Sequence, residues 1–141
     1  MGVVIDTSAI VEMERSLDRG AGVPNGLADE PVVVPAIVWA EALVGVRLAS
    51  SAVCAARRRA HLEAIRLHAE IVAFTAEVAE HYADIYAELS DAGSPVPQND
   101  LAVAATARFL DAAVLVGPHD EAHFSRVPGL IVRVLRFDPE T

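Results

Sequence analysis

The chain has no lysine: every one of its 11 basic residues is an arginine. It has one cysteine, Cys54. A lone cysteine makes no internal disulfide, and no Cys/His zinc pattern can be assembled on it. The expectation is a small buried apolar residue in a reducing compartment, and hence a cytoplasmic protein. No apolar run approaches the roughly 18 residues of a membrane span, so no membrane association is expected. The start, Met1-Gly2-Val3-Val4-Ile5-Asp6, lacks the basic stretch of a secretory signal, and Asp6 stands where a myristoylation motif has Ser or Thr. Aromatic residues make up only 5 %.

What is present is a chain of 141 residues, 53 % hydrophobic and 22 % charged. That excludes a disordered tail and matches one domain spanning 1–141. A domain of this length buries roughly two-thirds of its unfolded surface and folds without disulfide or structural metal. Twenty acidic residues against 11 basic give a net charge of −9. This argues against coating nucleic acid by counterion release alone, and it fits a protein that binds a cation, a basic partner, or both.

Short apolar runs alternate with helical patterns. Strands are expected at 2–5, 32–35, 71–74, 113–116 and 130–135. Helices are expected at 9–15, 37–49, 54–68, from Thr75 as cap to 91, and 99–111, with a loop and short helix in 16–31. Thr7 or Ser8 is the expected cap of the first helix. The alternation predicts an α/β fold, a mostly parallel sheet of about five strands between two helix layers.

In such a sheet, ligands sit outside the carboxyl ends of the strands. Asp6 directly follows the first strand, and helix capping near Thr7 is its alternative role. Glu41 shares a helix face with Ile37, Val44 and Leu48, and a carboxylate in an apolar stripe calls for a partner or a cation. The alternative is a buried salt bridge to an arginine. Asp100 lies in the first turn of its helix beside Val103, Ala104 and Ala107; helix capping is its alternative role. Asp120 lies four residues past the fourth strand, with Glu121 as a rival, and a solvated loop acid is the alternative. By contrast Glu77, Glu80, Asp84, Glu88 and Asp91 recur every three or four residues opposite an apolar stripe, as a solvated helix face does. Two carboxylates about 5 Å apart repel by roughly 3 kcal/mol at an effective dielectric near 20, so four in one crevice need protons or a divalent ion. An all-oxygen site suits Mg²⁺ or Mn²⁺ rather than zinc.

At these residues the sequence resembles the PIN-domain family, and within it the VapC-like toxins of toxin–antitoxin pairs. The matching pieces are Val4-Ile5-Asp6-Thr7-Ser8-Ala9, Val38-Trp39-Ala40-Glu41, Asn99-Asp100-Leu101-Ala102-Val103-Ala104-Ala105-Thr106-Ala107, and Asp120 with Phe124 before Val127-Pro128-Gly129-Leu130. The likeness runs over about 2–136. It implies a PIN-like three-layer α/β/α fold and a metal-dependent endoribonuclease with Asp6, Glu41, Asp100 and Asp120 as catalytic residues and ligands of Mg²⁺ or Mn²⁺. It implies an RNA substrate cut by water to leave a 3′-hydroxyl and a 5′-phosphate. It also implies an antitoxin whose tail blocks the site, and a homodimer. The last motif departs from the family pattern: Gly117 replaces a Thr, one residue is inserted, and His123 precedes Phe124. Glu121 is therefore an alternative to Asp120, with His119 as a further contributor.

Thr7, near a helix N-terminus, is a candidate contact for metal or phosphate. Arg57, Arg58 and Arg59, with Arg66 on the same helix, are candidate contacts for RNA backbone or antitoxin, although Arg59–Glu63 and Arg66–Glu70 have i,i+4 spacing. Trp39, Leu43, Val46 and Leu48 are either core or a groove for a partner helix. Two other readings remain at this stage. One is a catalytically inactive PIN-like binding module. The other is an aspartyl phosphotransferase using Asp6, against which stands Ser8, where such enzymes carry a second Asp.

Overall fold

The computed structural model describes residues 2–18 and 29–137. Among them the chain forms β1 (Val3–Ile5), α1 (Thr7–Asp18), β2 (Val32–Pro35), α2 (Ala36–Arg47), α3 (Ala52–Arg66), β3 (Ala69–Val72), α4 (Ala76–Asp91), α5 (Gln98–Leu110), β4 (Ala113–Val116), α6 (Glu121–Ser125) and β5 (Val132–Val134). The five strands make one parallel sheet in the order β3-β2-β1-β4-β5. It is the middle layer of the expected α/β/α fold.

The order follows from apolarity. Val3, Val4 and Ile5 of β1 and all four residues of β4 are buried, and these strands are central or next to centre. A strand covered on both faces reads as a continuous apolar run. At the edge, β3 carries the solvent-facing Glu70, and the pairing Val32↔Ala69 to Pro35↔Val72 sets its limits. The strand therefore lies two residues earlier than the apolar run at 71–74 predicts, and Phe74 is half exposed.

The chain leaves β1 for β2 on one side and returns to place β4 on the other. This reversal between β1 and β4 opens a crevice at their carboxyl ends. α5 packs on β1 and β4 with seven consecutive buried residues, Leu101 to Ala107. It ends at Leu110, where Asp111 takes a left-handed conformation (φ 53°). α4 buries Val78, Ile85 and Leu89, and its acidic face is solvated as expected.

Two details correct the sequence reading. Asp6, not Thr7 or Ser8, caps α1: its carboxylate accepts the Ser8 N–H, and its carbonyl accepts from Ala9 and Ile10. α6 is one short turn, below the length at which periodicity is visible. Cys54 is half-buried and unbridged. Of the expected loop and short helix at 16–31, residues 16–18 belong to α1 and 19–28 lie outside the described residues. Among the described residues no helix is long and apolar enough to cross a membrane.

Candidate active site

A cavity of about 370 Å³ occupies the crevice between β1 and β4. Asp6 enters it straight from β1, its N–H continuing the ladder to Leu115 O at 3.0 Å. It is only 3 % exposed. Its Oδ2 accepts the Ser8 N–H (3.1 Å) and the Ser8 hydroxyl (2.6 Å), and the Ser8 oxygen in turn accepts the Gly117 N–H at 2.9 Å. One serine thus ties the acid after β1 to the loop after β4. Gly117 is required here by space: a Cβ would sit 2.7 Å from the Ser8 carbonyl oxygen.

Glu41 reaches the same cavity from α2, and its Oε1 accepts the Thr7 hydroxyl at 2.9 Å. The reason given from sequence for its importance does not hold. Val44 is 54 % and Leu48 79 % exposed, so of this stripe only Ile37 packs on the core, and the buried anchor of α2 is Val38. Glu41 borders a cleft rather than the core, with Thr7 in place of a buried arginine.

Asp100 stands in the first turn of α5 but makes no capping bond. Its Oδ2 instead accepts from His123 Nδ1 of α6 at 2.7 Å. Asp120, the N-cap residue of α6, also lines the cavity, and its carboxylate makes no capping bond to that helix. Its rival Glu121 is not part of the lining, whereas His119 is. Burial raises the carboxyl of Asp6 above its ordinary value of 3.8; the Ser8 bonds pull it back, and the charge of Asp100 pushes it up again. Burial also raises Asp100, opposed by the hydrogen bond and charge of His123 and reinforced by Asp120 and Glu41. The four acids therefore form one electrostatic unit.

Their chemistry, oxygen donors converging on one opening, fits a hard divalent ion. As the side chains stand, no three Asp, Glu, His or Cys among the described residues are gathered around one point. Asp6, Glu41 and Asp100 each have an oxygen turned to a protein donor. Arg57 lies 3.8 Å from Asp18, Arg59 pairs with Glu63 at 2.9 Å, and Arg58 bonds Glu14 and the Gly45 carbonyl. None of the three lines the acidic cavity.

The PIN-domain family model matches residues 3–130. The chain belongs to the PIN-domain family. This PIN domain is similar in structure to a VapBC complex from Rickettsia felis bound to a DNA fragment from its promoter (22 % identity, 96 % of this chain and 100 % of that one, TM-score 0.77). It is likewise similar to a member of the VapBC family of toxin–antitoxin systems from Mycobacterium tuberculosis (24 %, 96 % and 99 %, TM-score 0.72). A third similar structure is FitAcB from Neisseria gonorrhoeae (26 %, 92 % and 95 %, TM-score 0.73). No curated protein matches the sequence.

Sequence reasoning missed several residues of this PIN domain's cleft. Ser8 and His123 position acids; Glu12 and Arg15 line the cavity. The signal for Glu12 and Arg15 was present. Thr7, Ser8, Val11, Glu12 and Arg15 follow the spacing of one helical face, opposite the buried Ala9, Ile10, Met13 and Ser16.

Proposed function

We propose that this PIN domain is a metal-dependent endoribonuclease and the toxin of a toxin–antitoxin pair. The observation that carries the reading is the convergence of Asp6, Glu41, Asp100 and Asp120 on one cavity at the strand-order reversal. Asp6, Glu41 and Asp100 would hold Mg²⁺ or Mn²⁺, with Asp120 completing the set. When bound, such an ion polarises a phosphodiester and lowers the pKa of water. The chain's own residues do the positioning. Ser8 fixes the rotamer of Asp6, Thr7 that of Glu41, and His123 that of Asp100. Asp6 is buried and Asp100 partly so, and burial raises both carboxyls despite the bonds from Ser8 and His123, which favours a cation at the site.

The antitoxin partner is inferred from the VapBC likeness. A homodimer, a cytoplasmic location and a single domain over 1–141 belong to the same reading. Sequencing the 5′ ends of RNA after induced expression tests it. Discrete new ends bearing 5′-phosphate are expected with the wild type and absent with Asp6→Asn. Purified protein should cut RNA with Mg²⁺ or Mn²⁺ and stop in EDTA. Growth arrest that persists unchanged in Asp100→Asn, with no RNA ends, would instead indicate a non-catalytic binding module.

A further inference from the structure

The acidic cavity continues into a second one of about 340 Å³ between α1, α2 and α3. The two share Thr7, Val11, Arg15 and Glu41, so together they form one groove along the face of α1. The halves differ in chemistry. Beyond the shared wall, Ile10 and Leu62, 3 % and 2 % exposed, give an apolar floor, and the carboxylates there, Glu14 and Asp18, are paired with Arg58 and Arg57. Arg58 and His61 stand at its far side.

Arg15 lies where the halves join. Arg57, Arg58, Arg59, Arg108 and Arg133 each pair with a carboxylate; Arg15, like Arg47, Arg66, Arg126 and Arg136, has no such partner among the described residues, but of these five Arg15 alone lines the two cavities. Arg58, by contrast, is committed to Glu14 and Gly45 O and serves as wall. His61 adds an independent feature. Its Nε2 is buried with no hydrogen-bond partner. An orphaned buried nitrogen costs about 1–3 kcal/mol, and a polar group entering the cavity relieves that cost once the ring turns to meet it.

We infer that the second cavity is the subsite for the nucleotide next to the scissile phosphate of a single-stranded RNA, with Arg15 on its phosphate, Ile10 and Leu62 under its base and His61 at the base edge. This rests on the ribonuclease reading above. A guanidinium grips phosphate through paired N–H donors, and an arginine with no carboxylate partner has those donors to give. The volume falls within the roughly 300–1,000 Å³ of small-ligand pockets. No Phe, Tyr or Trp lines it, and the one aromatic ring there is the imidazole of His61, so the base is held chiefly by shape and hydrogen bonding.

The test is binding of a short, random-sequence, fluorescein-labelled single-stranded RNA in Mg²⁺ by the full chain carrying Asp6→Asn. Adding Arg15→Gln should weaken binding by about tenfold and make the log–log salt dependence shallower by about 0.7, the value for one lost phosphate contact on a single strand. Arg15→Lys should keep the slope. Arg108→Gln, which removes the same charge at the end of α5 remote from Asp100, should also keep it. A purely structural role for Arg15 would not move the slope. Unchanged affinity and slope in Arg15→Gln overturn the subsite. So does an Arg15→Gln protein that binds RNA normally but releases a co-expressed partner protein, which would make the groove a docking surface. If the ribonuclease reading itself fails, the signature differs: the wild-type chain, Arg15 intact, neither cuts nor binds the RNA pool.

Discussion

Among the described residues neither Asp6 nor Asp100 pairs with an arginine; Asp6 is buried, and Asp100 is partly buried against His123. Because burial raises their carboxyls above 3.8, the folded chain favours the protonated forms. The stability they allow is full at and below pH 3.8 and is lost as pH rises through their raised values. At neutral pH without divalent ions, each charge is then a liability. Asp6→Asn and Asp100→Asn should raise the melting temperature by about 2–4 °C at pH 7, the shift that roughly 1 kcal/mol gives in a chain near this size. The gain should fade towards pH 4. Thermal melts across pH check this, and a lower melting temperature for both variants at pH 7 would contradict it. At this scale the acids were legible from their places after strands and in a helix's first turn. Their partners were not. His123 is 23 residues from Asp100, and only the short turn of α6 brings the two together. Glu41 was legible for the wrong reason, since an apolar stripe in sequence marks a core only where something covers it.

Elements meet at the site through one tight junction, where the start of α1 touches the loop after β4. Ser8 hydrogen-bonds across it, and Gly117 leaves the room. Gly117→Ala would press a methyl against the Ser8 carbonyl, which is backbone and yields little. Overpacking of this kind costs typically 1–3 kcal/mol. The variant should melt several degrees lower, and RNA cleavage should fall by more than tenfold because Ser8 no longer holds Asp6 in place. Calorimetry with a cleavage assay checks both. Wild-type behaviour in both would remove the junction from the account. The strands of the sheet interior were legible because β1 and β4 are apolar throughout. The edge strand β3 was misplaced by two residues because solvent on one side relaxes that requirement.

At the scale of the molecule, a net charge of −9 gives no general attraction to RNA. On the proposed ribonuclease reading, contact is local, through the groove and the ion it would hold. Raising monovalent salt from about 50 to about 200 mM should therefore weaken RNA binding by about tenfold or less, against the 10³–10⁵ expected of a protein making 6–10 phosphate contacts. A steep salt dependence, measured by fluorescence anisotropy, would mean an unrecognised basic surface. The parallel sheet was implied by the α/β pattern, but its strand order and the second cavity were not, because both depend on how elements pack in space. The central claim is that carboxylates from β1, α2, α5 and the loop after β4 jointly hold a divalent ion. Manganese binding followed by electron paramagnetic resonance tests it most directly. The wild type should bind Mn²⁺ saturably, with displacement by Mg²⁺, and the Asp6→Asn/Asp100→Asn protein, still folded, should lose that binding. Equal Mn²⁺ binding by the two proteins would contradict the account.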